Sequence, residues 1–138
     1  MIIRKLIKDD LPFLLEIRNE CYLFLHDPRT FTLEECIEWF ESTNPKYYIL
    51  EYLGERLGYF RTSRWTQNSV YIGLDIHKNY RGKGYAVSAY ELFMDILEKE
   101  VYYLRVLTSN KRALHIYKKL GFEIIGSDKD SLDMRLCR

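Results

Sequence analysis

Two spacings of apolar residues alternate along this chain, and together they lay out its elements. Ile2–Ile7 is a short β-prone run that predicts an opening strand. Leu11, Leu14, Leu15, Cys21, Tyr22 and Leu25 then follow a mostly helical apolar face, interrupted by Arg18; Asp9 or Asp10 can cap it, and Pro12 is tolerated in the first turn. His26-Asp27-Pro28-Arg29-Thr30 breaks that helix. Thr32-x-x-Glu35 is a capping-box signature, and Leu33, Cys36, Ile37 and Phe40 stripe the helix that follows it. Lys46–Tyr52 and Arg56–Trp65 read as strands of a hairpin around Gly54-Glu55. Polar turn chemistry at Thr66-Gln67-Asn68-Ser69 precedes a third strand of this group, Val70–Ile76. Ala86, Tyr90, Phe93 and Leu97, flanked by Val87 and Met94, predict a long helix over Tyr85–Lys99. Val101–Thr108 is a strand again, Asn110 starts a last helix that Gly121 can end in a left-handed cap, and Phe122–Ile125 with Ser131–Leu136 close the chain as an antiparallel pair.

The order that results is β-α-α-β-β-β-α-β-α-β-β. With 138 residues and no linker, repeat or low-complexity stretch, it predicts one domain over residues 1–138 with a single sizeable core. A net charge of +1 gives no broad surface for nucleic acid or a membrane, so any cationic site must be local. No apolar run approaches the length of a membrane span, and Asp9 and Asp10 come too early for a secretory signal. Cys21, Cys36 and Cys137 are widely spaced and make neither a metal motif nor a disulfide framework, so the expectation is a metal-free protein of the reducing cytoplasm.

The cationic site is expected where strand Val70–Ile76 runs through Arg81-Gly82-Lys83-Gly84 into the long helix. Two glycines let the backbone turn sharply and leave amide N–H groups unshielded at a helix N-terminus, where the unsatisfied donors and the helix dipole favour an anion. Arg81 and Lys83 add charge, which suits a phosphate or pyrophosphate. The Walker spacing is absent, and Val87 stands where a dinucleotide fingerprint needs its third glycine. Taken alone, the loop reads equally as a basic surface turn, Asn110 as a helix cap, and Tyr117 as a core or rim aromatic.

Arg81, Gly84 and Ala86 occupy the R-x-x-G-x-A positions by which the GNAT superfamily of N-acetyltransferases holds the pyrophosphate of acetyl-CoA. The later block Asn110–Phe122 resembles the same family's N-x-x-A helix with its Tyr and its G-F ending. The chain is therefore identified as similar to that family in two blocks, in the family's order and at roughly its separation. The resemblance implies a mixed α/β fold with a central, mostly antiparallel sheet that splays between Val70–Ile76 and Val101–Thr108 to admit the pantetheine arm. It implies acetyl-CoA as co-substrate, with Leu74, Asp75 and Ile76 on the strand, Arg81, Gly82, Lys83, Gly84, Tyr85 and Ala86 in the loop, and Asn110 and Tyr117 on the last helix as its contacts. Tyr117 matches the position from which the family's tyrosine protonates the departing sulfur, and a phenol with an ordinary pKa of about 10 keeps a proton to give at neutral pH.

The family often uses a glutamate near the organising strand as base. Here the strand has one acid, Asp75, which either accepts the ammonium proton, directly or through water, or merely pairs with a basic residue. His77 reads as a surface or loop-packing histidine. His26, Arg29, Arg61, Arg64 and Trp65 are the candidate acceptor contacts; Arg61 and Arg64 suit a diphosphate, or are solvated charges. Arg18-Asn19, Phe31–Glu35 and Trp39-Phe40 resemble the ribosomal-protein and amino-sugar-nucleotide branches. The expected partner is thus a small-molecule amine, a sugar nucleotide among the candidates, with a protein N-terminus or lysine as rival and a non-catalytic acyl-CoA-binding module as the alternative of another class. A monomer or a homodimer would both be compatible.

Overall fold

The computed structural model describes residues 1–20 and 30–138. Among them the order of elements is β1 (Ile2–Lys5), α1 (Leu11–Glu20), α2 (Leu33–Thr43), β2 (Tyr48–Tyr52), β3 (Glu55–Ser63), β4 (Ser69–Ile76), α3 (Tyr85–Leu97), β5 (Val101–Leu107), α4 (Lys111–Leu120), β6 (Glu123–Ser127) and β7 (Ser131–Cys137), with short 3-10 turns at Lys8–Asp10 and Lys78–Tyr80. The seven strands form one open, mostly antiparallel sheet. This is the mixed α/β order that the pattern of apolar positions predicts. Cys21, Tyr22, Leu25, His26 and Arg29 lie outside the described residues.

The chain falls into two compact units, Met1–Arg61 with Leu74–Lys83, and Thr62–Gly73 with Gly84–Arg138. In the first, β1 pairs antiparallel with β2 and β2 with β3. Its core gathers Leu6, Leu11, Leu14, Ile17, Cys36, Ile49 and Tyr59, with Trp39, Phe40 and Tyr47 packed against them. Thr32 caps α2 as expected: its Oγ1 accepts from the Glu35 N–H while the Glu35 carboxylate accepts from the Thr32 N–H. Leu33, assigned to the apolar stripe, is exposed; it is the first helical residue, a full turn from Ile37. The hairpin turn is Leu53-Gly54, both left-handed with φ of 52° and 79°, one residue earlier than expected, because a two-residue turn of that kind needs positive φ at both positions. Likewise β3 stops at Ser63 rather than Trp65, since Arg64 (φ 50°) leaves extended geometry.

Asp10 takes part in capping not as the N-cap, which is Ile7, but as the third residue of the Lys8–Asp10 turn that leads into α1. Its buried carboxylate accepts from the Ile7 N–H at 2.9 Å, takes both Arg4 guanidinium nitrogens at 2.7 and 2.8 Å, and lies 3.1 Å from Arg56. Asn19, near the end of α1, both donates to the Phe31 carbonyl and accepts from the Phe31 N–H at 3.1 Å, which ties the described ends around residues 21–29 together.

In the second unit β4 begins parallel to β5, β5 pairs antiparallel with β7 along its whole length, and β6 edges β7. Its buried side chains include Tyr90, Phe93 and Met94 of α3, Tyr102, Leu104 and Val106 of β5, Tyr117 of α4, and Met134 of β7. Tyr102 ties this region to the end of α3, donating to the Met94 carbonyl at 2.7 Å and accepting from the Lys99 N–H at 2.8 Å. The β4–β5 ladder comprises three pairs, Ser69 with Val101, Val70 with Tyr102 and Tyr71 with Tyr103. β5 continues on β7 to Leu107, so from Leu104 onward it is held from that side.

Candidate active site

The basic loop takes the conformation its two glycines allow. Gly82 and Gly84 are left-handed, with φ of 74° and 82°, and a Cβ built on either meets nothing within 4 Å, so the space beside this backbone is open. Gly84 is the N-cap of α3 and brings no side chain to accept from the first helical amides. The first turn of α3 holds no acid either. Tyr85 and Ala86 are half-buried on that turn. A helix N-terminus uncapped by side chains, reached through an open glycine loop, is a place where backbone donors and the helix dipole favour an anion.

The loop's two cations have different places. Arg81 donates through Nε to the Ile76 carbonyl at 2.7 Å, with a guanidinium nitrogen 3.8 Å from the Glu20 carboxylate. It staples the loop to the end of β4. Lys83 is exposed, its ammonium 6.0 Å from the centre of the Tyr80 ring.

Asp75 on β4 faces Arg61 on β3. Arg61 Nε donates to one carboxylate oxygen at 2.9 Å and a terminal nitrogen approaches the other at 3.4 Å. Of the alternatives the sequence leaves open for Asp75, pairing with a basic residue is the arrangement seen in the structure. Beneath the pair, burial first and the neighbouring Asp75 second push the Tyr59 phenol well above its ordinary range, so Tyr59 stays protonated. Leu74 and Ile76 are half-buried on the same strand.

On α4, Asn110 is the N-cap: its Oδ1 accepts from the Ala113 N–H at 3.2 Å. Two turns on, Tyr117 is buried, and its hydroxyl accepts from the Tyr90 hydroxyl at 3.1 Å with the two rings edge to face. A phenol that accepts in this way keeps its own proton on its oxygen.

Two of the acceptor candidates, Arg64 and Trp65, follow the end of β3. Arg64 is exposed and places its guanidinium 5.0 Å from the centre of the Tyr71 ring, which in turn stacks on Tyr103. Trp65 Nε1 donates to Thr62 Oγ1 at 2.9 Å, and the Lys99 ammonium lies 5.5 Å over its ring. Among the described residues the structure thus brings Arg61 to Asp75 and Tyr117 to Tyr90.

Three residues have partners that the sequence does not reveal. Gly58 on β3 is one: a Cβ there would sit 2.3 Å from the Asp75 carbonyl oxygen, so the close approach of β3 to β4 at Asp75 depends on glycine. Its only sequence signal is a glycine within an apolar strand. Tyr90 is the second, since helical spacing marks it as core without revealing its hydroxyl's partner. His77 is the third: it is buried and packs the loop entry, as a loop-packing histidine would, but its partner Glu16 is 61 positions away.

Comparison with known proteins agrees with this architecture. A family model described as the acetyltransferase (GNAT) family matches residues 11–122. Over 55 residues the chain is 44% identical to the spermidine N(1)-acetyltransferase of Escherichia coli strain K12, a stretch that makes up 37% of this chain and 30% of that protein; the chain thus spans under a third of the curated relative it matches. Among solved structures, a chimera of the Vibrio cholerae spermidine N-acetyltransferase and hSSAT superposes with a TM-score of 0.84 at 20% identity, covering 99% of this chain and 96% of that one. A putative acetyltransferase from Salmonella typhimurium, solved with its cofactor acetyl-CoA, gives 0.77 at 21% identity, covering 99% and 93%. A ribosomal-protein-alanine N-acetyltransferase from Brucella melitensis gives 0.80 at 23%, with both chains fully covered. At these identities the solved structures share the fold.

Proposed function

The chain belongs to the acetyltransferase (GNAT) family, and we propose that it acts as one cytoplasmic domain that moves an acetyl group from acetyl-CoA to the primary amine of a small molecule. The observation that carries this reading is the α3 N-terminus: an uncapped helix start, two left-handed glycines with open space beside them, and the exposed Lys83. Acetyl-CoA supplies the activated thioester. The loop amides and Lys83 hold its pyrophosphate, and Arg81 keeps the loop on the end of β4.

The rest of the chemistry falls to β4 and α4. Backbone N–H groups at Leu74–Ile76 orient the pantetheine and polarise the thioester carbonyl; an oxyanion donor of this kind contributes roughly 3 kcal/mol. Tyr117 gives its proton to the departing sulfur and is left as a phenolate that the Tyr90 hydroxyl stabilises. Asp75 orders Arg61, and the amine's proton leaves through water along that pair.

For the acceptor, Arg61 is held by Asp75 and Arg64 lies over Tyr71, an arrangement that favours a plain alkylamine over a diphosphate-bearing sugar nucleotide. The E. coli relative's name, a spermidine acetyltransferase, supports the same class. The test is release of free CoA thiol from acetyl-CoA with spermidine, an N-terminal alanine peptide and an amino-sugar nucleotide in parallel. Thiol release with spermidine is the expected result. Release with the peptide or the sugar nucleotide alone would replace the acceptor class, and tight acetyl-CoA binding without turnover on any amine would make the chain an acyl-CoA-binding module.

A further inference from the structure

One face of α1 grips the entrance of the basic loop. Phe13, Glu16 and Glu20 stand at positions i, i+3 and i+7, hence along one side of the helix. Phe13 stacks on the His77 ring, with centroids 5.9 Å apart and planes 13° from parallel. The Glu16 carboxylate lies 2.9 Å from His77 Nε2. Glu20 reaches the Lys78 ammonium at 3.3 Å and the Arg81 guanidinium at 3.8 Å. His77 is buried, and its Nδ1 accepts from the Asn79 N–H at 3.1 Å, which makes it the cap of the Lys78–Tyr80 turn leading into Arg81-Gly82-Lys83-Gly84.

Glu16, Glu20 and His77 bring three ligand atoms within 4.8 Å of one another, the composition of a metal site. The hydrogen bonds argue otherwise. A nitrogen that accepts from an amide N–H carries no proton, so the ring's proton is on Nε2, where it is donated to Glu16. A metal at Nε2 would force that proton onto Nδ1, against the Asn79 N–H. Lys78 and Arg81 already answer the charge of Glu20.

We propose that His77 is a positioning residue for the co-substrate: clamped by Glu16 and Phe13, it fixes the turn that sets the angle at which the glycine loop presents its amides to the pyrophosphate. Its ring joins two otherwise independent constraints, the Asn79 amide within the loop and the Glu16 carboxylate on a helix far away in sequence. Glu20 adds a second tether through Lys78 and Arg81. A loop so held pays less ordering entropy when it closes on a ligand, and the gain appears as affinity for acetyl-CoA.

The inference rests on the loop being the pyrophosphate site, and the experiment separates the two. Calorimetry with acetyl-CoA is run on the wild-type chain and on Gly84→Val, Glu16→Gln, His77→Asn and His77→Ala, each with its thermal midpoint. Wild-type binding that Gly84→Val weakens establishes the site; failure there sinks the site assignment and the clamp with it. Given that site, His77→Ala is expected to raise the Kd about tenfold. His77→Asn keeps a capping oxygen near the Nδ1 position but cannot reach Glu16, so it should fall between. Glu16→Gln on the half-exposed end of the clamp should weaken binding several-fold with an unchanged thermal midpoint, and should add nothing in the His77→Ala background. Nitrogen NMR should find the His77 proton on Nε2. An unchanged Kd in folded Glu16→Gln and His77→Ala overturns the clamp, as does stoichiometric binding of Zn²⁺ that displaces the Nε2 proton.

Discussion

The hydroxyl of Tyr90 on α3 donates to the hydroxyl of Tyr117 on α4 across 3.1 Å, with the rings edge to face at 5.6 Å. A donor aimed at a phenol oxygen stabilises the phenolate far more than the phenol, because hydrogen bonds to charged groups are about twice as strong as neutral ones. Tyr117→Phe should leave acetyl-CoA binding nearly intact and lower kcat by roughly 10²–10⁴-fold. Tyr90→Phe, which removes only the donor, should lower kcat about tenfold, and should have no further effect in the Tyr117→Phe background. Additive effects of the two changes would make Tyr90 a packing residue, and wild-type turnover in Tyr117→Phe with chemistry rate-limiting would route the sulfur's proton elsewhere.

Asp75 and Arg61 pose a separate question, since both Asp75 carboxylate oxygens face the Arg61 guanidinium. Asp75→Asn should raise the acceptor KM by loosening Arg61, with kcat within about tenfold of wild type. A kcat loss of the order of 10²-fold or more, the range typical of a general base, would instead make Asp75 the base.

The loop depends on glycine geometry. Gly84 sits at φ 82°, where a β-branched side chain is strained by on the order of 1–3 kcal/mol. Gly84→Val is expected to raise the acetyl-CoA Kd at least tenfold by calorimetry. Lys83→Ala should cost less, and its deficit should vanish in high salt because its charge is exposed.

Gly58 makes a stability prediction. A methyl there would have to displace the Asp75 carbonyl, which is backbone and cannot swing aside. Gly58→Ala should lower unfolding free energy by roughly 1–3 kcal/mol in urea titrations and should weaken acetyl-CoA binding by shifting Leu74–Ile76. An unchanged urea midpoint would mean that β3 can retreat at no cost.

Asp10 predicts the acid limb of stability. Burial would raise its carboxyl, but hydrogen bonds from Arg4 and the Ile7 N–H outweigh that and hold it below the usual carboxylate range. The contribution is therefore fully present above the unfolded carboxyl's pKa near 4 and is lost as pH falls through the lower folded value. Asp10→Asn should cost roughly 1–3 kcal/mol at pH 7 by removing the charge that Arg4 and Arg56 share, with Glu51 left as the carboxylate partner of Arg4, and its stability should vary less between pH 5 and 2 than the wild type's. Parallel pH curves for the two would remove Asp10 from this account.

The order of elements was legible from spacing and punctuation, because each signal is local. Thr32 and Glu35 cap their helix within four residues, Gly121 ends α4 at φ 103°, and the glycines of the loop can only be read as a turn before a helix. Boundaries moved where backbone sign decided them, at Leu53 and Arg64, whose positive φ no side chain advertises. The signature positions Arg81, Gly84, Ala86 and Tyr117 were also readable, since a family's motif is a pattern along the chain. Which groups meet was not. Glu16 finds His77, Asp10 finds Arg4 and Arg56, Gly58 admits Asp75, and Tyr90 finds Tyr117 only after strands and helices distant in sequence have packed. A lone sequence fixes what each residue can donate, accept or exclude; the partner that uses this capacity is chosen by long-range packing, whose contacts leave no spacing to read.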